Sequence, residues 1–328
     1  MKAIIPILLL IFCSKSYGQY DVDIKKNDSS YFDYRNAKII KKEKIGNCKF
    51  IPVHEYVVGM NFYFPKNSYK EEDTFRLSWY KQVTEETVKK KTLQKRIDLY
   101  YKDIAGKQFV ITNVENRKDS YFTKSYITLK QVDGNLVLEH ELTIPFENLK
   151  ESWLQKSYSG QSFVLPYAIY TPEIDSFKEK YLNSQLYTKF AVKGKKFKKV
   201  KITQVGAGTD DRPIRVIVEN ELGEKEQMDI CTCGTNVTST YADAYYFLNF
   251  FQFENPKNSY KGSDEIWEII CESKIKIGMT ENDLKLSWGE PQKINETVVS
   301  GIVHRQYVYA DQYVYVENGK IKSFQSSK

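Results

Sequence analysis

A duplicated block limits this chain more than any other feature. The stretch YYKDIAGKQFVITNV, residues 100–114, can be laid over LYTKFAVKGKKFKKVKITQV, residues 186–205, so that Gly106 meets Gly194 and Phe109 meets Phe197. The likeness continues downstream, where SYITLKQVDGN at 125–135 answers PIRVIVENELGE at 213–224 and LVLEHEL answers KEQMDI. Within the copies FVITNV, SYITLK and IRVIV are rich in β-branched and aromatic residues, and the links carry Asp-Gly, Leu-Gly-Glu or GAGTDDRP. Those are strand and turn signals. The duplication predicts repeated small β meanders.

A helix is expected ahead of each meander. Thr84 with Glu85 and Glu86 has the form of a helix start for the first copy. Thr171-Pro172-Glu173 has it for the second, where Ile174, Phe177, Tyr181 and Leu182 recur at helical spacing. A fainter third copy is expected at YVVGMNFYF, where Gly59 and Phe62 keep the separation of Gly106 and Phe109. In pattern alone the meanders resemble small barrels of the Src-homology-3 type, since closure hides sheet edges. The hexapeptide PKNSYK stands at 65–70 and again at 256–261, and reads as a turn that marks a boundary.

From Ser263 the pattern turns helical. SDEIWEIICESK offers a Ser cap, acids in the first turn, and Ile266, Ile269 and Ile270 on one side. Thr280 with Asp283 forms a short-armed capping box, Leu284 and Trp288 lie one turn apart, and Gly289 with Pro291 stops the helix. Short strands follow, with Asn318-Gly319 as a hairpin turn. Two helices followed by a three-stranded meander, with the words GMT and WGEP at this spacing, resemble the small envelope proteins of the BamE/SmpA type over about residues 264–326. They are also similar to the C-terminal modules of exported proteins of Gram-negative bacteria. In that resemblance Gly278, Met279 and Thr280 match the helix opening, Gly289 and Pro291 the helix exit, Tyr307 and Tyr309 the first long strand, and Val314, Val316, Gly319 and Ile321 the last hairpin. It implies an interaction scaffold of the cell envelope. Gly278, Met279, Thr280, Trp288, Gly289 and Pro291 are accordingly read as fold-determining residues.

The N-terminus agrees with export. MKAIIPILLLIFCSKSYGQY pairs Lys2 with an apolar run from Ala3 to Cys13 and ends in small residues, the form of a secretory signal peptide with Ser16 and Gly18 before the cut and Gln19 after it. The run is shorter than the roughly 20 apolar residues a membrane helix needs. Ile11 and Phe12 are bulkier than a lipoprotein box takes ahead of Cys13, so lipidation there is not expected. The destination is periplasmic or outer-membrane-associated, with no transmembrane segment after cleavage. The sequence therefore predicts a mainly β chain with an α+β C-terminal module. Its parts are a signal peptide at 1–18, an N-terminal β region at 19–83, helix-plus-meander repeats at 84–170 and 171–261, and the BamE/SmpA-like module at 262–328. The 25 Tyr and 18 Phe push the same way.

Few residues speak for chemistry. Cys48, Cys231, Cys233 and Cys271 remain after the cut and can pair in three ways or stay as buried thiols. A bridge within Cys231-Thr-Cys233 would be strained, and no nearby His completes a zinc set. His54, His140 and His304 form no H-x-H or H-E-x-x-H word, and the last two alternate with apolar neighbours as solvated strand residues would. GAGTDDRP is followed by a strand, where a phosphate cradle needs a helix. Asp210 and Asp211 fall short of the six to eight oxygens that Ca²⁺ takes. No catalytic, metal or cofactor site is expected. The densest charge is Lys193, Lys195, Lys196, Lys198, Lys199 and Lys201 in KGKKFKKVK. It is a candidate patch for an anionic ligand, or a solvated strand edge kept from aggregating. With a net charge of +7 on 328 residues, nucleic acid is not the expected partner. The leading expectation is a non-enzymatic binding or scaffold protein for an envelope protein, an acidic glycan or an anionic lipid surface. The alternative is a cell-envelope hydrolase whose site is assembled from distant residues.

Overall fold

A computed structural model describes residues 20–23, 51–67, 70–71, 74–88, 91–118, 121–154, 164–192, 194–210, 212–232, 246–310 and 312–326. The expected signal peptide, Cys48, Cys233, Lys193 and Asp211 lie outside them. The chain is mainly β, in three antiparallel sheets.

The first sheet holds β1 (Asn61–Phe64), β2 (Arg76–Val88), β3 (Lys91–Tyr100), β4 (Lys107–Lys118), β5 (Thr123–Gln131), β6 (Val137–Leu142) and β7 (Ile169–Tyr170), in the order β3-β2-β6-β5-β4-β1-β7. Helix α1 (Phe146–Leu154) lies between β6 and β7. The core is aromatic. Phe64 meets Phe109 edge-on at 5.3 Å and Tyr80 edge-on at 5.5 Å, and all three are fully buried. Such pairs add about 0.5–1.5 kcal/mol beyond the area they bury.

After α2 (Thr171–Tyr181) comes the second sheet: β8 (Gln185–Thr188), β9 (Lys199–Ala207), β10 (Ile214–Asn220), β11 (Lys225–Ile230) and β12 (Phe251–Gln252), ordered β11-β10-β9-β8-β12, with α3 (Phe247–Phe250) just before β12. The duplication is thus realised in topology and runs further than the sequence match. Meander β4-β5-β6 corresponds to β9-β10-β11, β1 to β8, and the two-residue β7 to β12. The β2–β3 hairpin is an insertion in the first copy, laid against β6. Among the described residues no backbone pairing closes either sheet on itself.

Three expectations are corrected here. Thr84 opens no helix; it lies inside β2, so the expected boundary at 83/84 falls within a strand. VTEETV carries β-branched residues at 83, 84, 87 and 88, whose stiff side chains favour the pleated strand that pairs with β3 over a helical turn. The stretch read as a third copy is β1, a strand of the first sheet. Gly106 and Gly194 do share positive φ, at 72° and 77°, but Phe109 sits inside β4 whereas Phe197 precedes β9. The second helix is where it was expected, with Pro172 in its first turn and Ile174 and Phe177 buried.

The two sheets share a seam. Phe62 and Phe64 point into the first core, whereas Tyr63 between them belongs to the second, with Ile169 of β7 beside it. The period-2 alternation of a strand lets β1 serve both.

The C-terminal part has helices α4 (Asp264–Cys271) and α5 (Glu281–Trp288) and a sheet of β13 (Lys293–Val299), β14 (Ile302–Val308), β15 (Gln312–Glu317) and β16 (Lys320–Ser326) in sequential order. The meander has four strands, one more than expected. None of the residues in β13 is buried, so KINETVV carries no inward-facing alternation to read. The caps form as the sequence predicts: Ser263 Oγ accepts from the Ile266 amide at 3.3 Å, and Asn318-Gly319 turns with φ of 50° and 75°.

Candidate functional site

The GMT and WGEP words build the C-terminal part. Thr280 Oγ1 accepts from the Asp283 amide at 3.1 Å while the Asp283 carboxylate accepts from the Thr280 amide at 2.8 Å. The Gly278 amide donates to the Ile321 carbonyl at 2.9 Å and the Ile321 amide to the Met279 carbonyl at 2.8 Å, which stitches the start of α5 to the last hairpin. Met279 is buried. Trp288 is half-buried, donates from Nε1 to the Ser273 carbonyl at 2.9 Å and meets Tyr309 edge-on at 5.4 Å. Gly289 caps α5 at φ 83°, its carbonyl accepting from the Tyr309 hydroxyl at 3.0 Å, and Pro291 leads on to β13. Each of these residues is spent on architecture.

The lysine run is largely spent the same way. Lys195 pairs with Glu268 of α4 at 2.6 Å, and the Lys196 ammonium donates to the Ser287 carbonyl of α5 while its amide donates to the Cys271 carbonyl at 2.7 Å. Burial pushes the Lys196 ammonium down to about 8, with the neighbouring Cys271 opposing the shift. Between these lysines and β9, Phe197 stacks on Trp267 with centroids 5.4 Å apart, and holds φ 57° to do so. Lys199 reaches Glu221 at 3.4 Å, whereas Lys198 and Lys201 are exposed. The segment joins the second sheet to the C-terminal helices, and of its described lysines, Lys195, Lys196 and Lys199 face protein partners.

One face of the C-terminal sheet is covered. Tyr307, Val314, Val316 and Ile321 pack against Trp267, Ile270, Met279 and Leu284 of the helical layer. The other face is open: none of Asn295, Thr297, Val299, Ile302, His304, Gln306, Tyr313, Tyr315, Glu317 and Gln325 is buried. A polar ladder crosses all four strands there. Asn295 Nδ2 donates to Gln306 Oε1 at 2.9 Å, Gln306 Nε2 to the Tyr315 hydroxyl at 3.1 Å, and Gln325 Nε2 to the same hydroxyl at 3.0 Å. With its two acceptor positions filled, that hydroxyl keeps its own O–H to donate outward. His304 and Glu317 lie 3.8 Å apart on this face. Val299 and Ile302, paired at the hairpin tip, give it an apolar end. The sequence reading missed this surface, though the alternation in QYVYVE, valines in and tyrosines out, was its signal.

Elsewhere the chemistry is internal. Glu139, only 4% exposed, receives Arg96 and Arg117. Burial opposes its charge, but the two guanidinium hydrogen bonds win and hold the carboxyl below its usual range. His140 is not a solvated strand residue. It is buried on the core face beside Tyr80, its Nδ1 2.8 Å from the Trp79 carbonyl and its Nε2 without a partner, and burial lowers it to about 4. Asp210 pairs with Lys70 at 2.6 Å. Cys231 and Cys271 are buried, and Cys271 is a thiol. Among the described residues no group of three or more His, Cys, Asp or Glu is placed to hold a metal. Compared with protein-family models, curated proteins and solved structures, the chain matches none.

Proposed function

We propose that the protein is an exported, non-enzymatic scaffold of the cell envelope that binds a glycan through the open face of its C-terminal sheet. The observation that carries this reading is the ladder Asn295–Gln306–Tyr315–Gln325, an ordered row of amides and a hydroxyl on a face that no described residue covers. Amides and hydroxyls hydrogen-bond to sugar hydroxyls in both directions, and the exposed part of the Tyr313 ring offers apolar area beside them. The helix-then-meander order and the caps around Gly278 and Gly289 support the BamE/SmpA-type resemblance and, with it, an envelope role. The paired state of Lys195 and Lys196 favours a hydrogen-bonding partner over an anionic lipid surface.

The test is co-sedimentation of the full chain with purified peptidoglycan and, separately, with vesicles of anionic phospholipid. Binding to the glycan should weaken at least about tenfold in Gln306→Ala/Tyr315→Ala, the loss of one or two well-made polar contacts. Sedimentation with vesicles alone, or glycan binding that the double variant leaves unchanged, refutes the reading. Export is tested by fractionation in a Gram-negative host. The mature chain should begin at Gln19 and leave with the periplasm; a lipid-modified Cys13 or an uncleaved cytosolic chain overturns that.

A further inference from the structure

Residues Tyr20 to Asp23 occupy a slot between the two larger sheets, and their contacts are those of a bound ligand. Tyr20 is 3% exposed, its ring 5.4 Å from that of Tyr63 on β1, and its hydroxyl donates to the Asp175 carboxylate of α2 at 3.1 Å. Burial first, with the Asp175 charge adding to it, pushes this phenol up to about 12, so it stays a donor. The Tyr20 carbonyl accepts from the Ala207 amide of β9 at 2.7 Å, the hydrogen bond of an added strand. Strand β8 pairs with residues 199–201, and Asn183 and Ser184 before it pair with Ile202, which leaves the far end of β9 open on that side for the segment. Asp21 accepts from the Tyr63 hydroxyl and from Lys66 at 2.7 Å. Asp23 accepts from Arg215, whose fork is held in place by Asp229 at 2.7 and 2.9 Å.

Gly206 is the floor of this slot. A Cβ there would fall on the Tyr20 carbonyl oxygen and on the Val22 side chain, so the close approach requires glycine. The walls come from β1, α2, β9 and β10, elements that are fixed by their own cores. Every contact with the segment is a side-chain pocket or a strand-edge amide.

We propose that this slot is a peptide-binding site for an extended segment of the pattern Tyr-Asp-x-Asp, filled in cis by the chain's own residues 20–23. Tyr63 and Asp175 select the aromatic, Tyr63 and Lys66 the first acid, Arg215 the second, and the β9 edge reads the backbone. The inference does not depend on the glycan reading above, because it concerns a different face of a different sheet.

The experiment uses a chain that starts at Ile24 and a fluorescent peptide of sequence QYDVDIKK, followed by anisotropy. The truncated chain should bind the peptide. Full-length protein should bind it at least about tenfold more weakly, since the slot is already filled. The truncated chain carrying Gly206→Val should lose binding, and a peptide with Asn in place of Asp23 should bind at least about tenfold more weakly, as the loss of a charge-assisted contact implies. Equal binding by full-length and truncated protein, no binding by a truncated chain whose circular dichroism is native, or indifference to Gly206→Val overturns the proposal. Should the truncated chain not fold, the full-length double variant Tyr20→Ala/Asp23→Asn loosens the segment without shortening the protein. It must then bind the added peptide more tightly than wild type does, and failure to do so is equally decisive.

Discussion

His140 should make the first sheet acid-sensitive well above the pH at which carboxylates titrate. The ring is fully buried, pairs across β6 with Tyr80 and Ile127, and gives Nδ1 to the Trp79 carbonyl in the stretch of β2 where the register shifts. The charges nearby are few. Tyr80 is neutral, with its phenol pushed far up by burial, and the Glu141 carboxylate raises His140 less than burial lowers it. The folded value of about 4 therefore lies below the ordinary 6.5. Between the two the unfolded chain binds the proton and the folded chain does not, so stability is complete above 6.5 and falls as pH drops towards 4. The difference of about 2.5 units corresponds to roughly 3 kcal/mol at full extent. Substituting His140→Asn keeps an N–H for the Trp79 carbonyl and removes the titration. Urea midpoints of the two proteins, measured every half unit from pH 7.5 to 4, should converge as pH falls, the variant losing less. His54, also depressed by burial, contributes to both curves alike and cancels in the comparison. Parallel curves, or a His140 imidazole resonance that titrates near 6.5, would refute the burial argument.

Glu139→Gln should act in a lower window. The depressed carboxyl contributes stability above its unfolded value and loses it as pH falls through the folded one, so the variant's deficit, about 1–3 kcal/mol at pH 7, should shrink steadily as pH falls below the usual carboxylate range in denaturant titrations. Phe197→Ala should destabilise the joint more than Phe197→Gly does, by about 1 kcal/mol. Both lose the stack on Trp267, but only glycine is at ease at φ 57°; the readout is the thermal transition followed by tryptophan fluorescence. Gly278→Ala should cost about 1–2 kcal/mol from backbone strain alone, because φ is 90° and a Cβ would meet nothing within 4 Å. Gly278→Val should cost more, as scanning calorimetry of the full chain would register. Trp288→Ala, half-buried, should cost about 2 kcal/mol, less than the 3–5 kcal/mol of a fully buried tryptophan.

What could be read from the sequence was local or repeated. The Ser263 cap, the Thr280–Asp283 box and the Asn318-Gly319 turn each need only neighbours within four residues, and each formed; the helix at Thr171-Pro172 formed too, with Tyr170 at the cap and Thr171 inside its first turn. The duplicated meander was legible because two copies of one pattern are harder to produce by chance than one. The β2–β3 hairpin was not, because VTEETV satisfies a helix-start pattern as well as a strand pattern and only the pairing with β3 and β6 decides. His140 sits in an alternation that looks the same whether its face is inward or outward. The lysine run looked like a free patch because its partners, Glu268 and the Ser287 carbonyl, lie far along the chain. The ladder on the open face needed a register across four strands, which no window on the sequence contains.

Two lysines sit over aromatic rings with a carboxylate beside them, one between the first two sheets and one inside the C-terminal part. Lys70 lies 4.3 Å above the Tyr167 ring and 5.8 Å from that of Tyr101, with Asp210 of the second sheet's β9–β10 loop as its counter-ion. Lys257 lies 5.5 Å from the Tyr260 ring and 5.2 Å from that of Trp267, with Asp264 as its counter-ion. Both lysines fall within PKNSYK copies, but at different places in the word: Lys70 is its last residue and Lys257 its second. Each contact is worth about 0.5–2 kcal/mol according to how far it is desolvated. The Lys70–Asp210 contact runs from the rings of the first core to the β9–β10 loop of the second sheet, whereas the Lys257 contact stays within the C-terminal part.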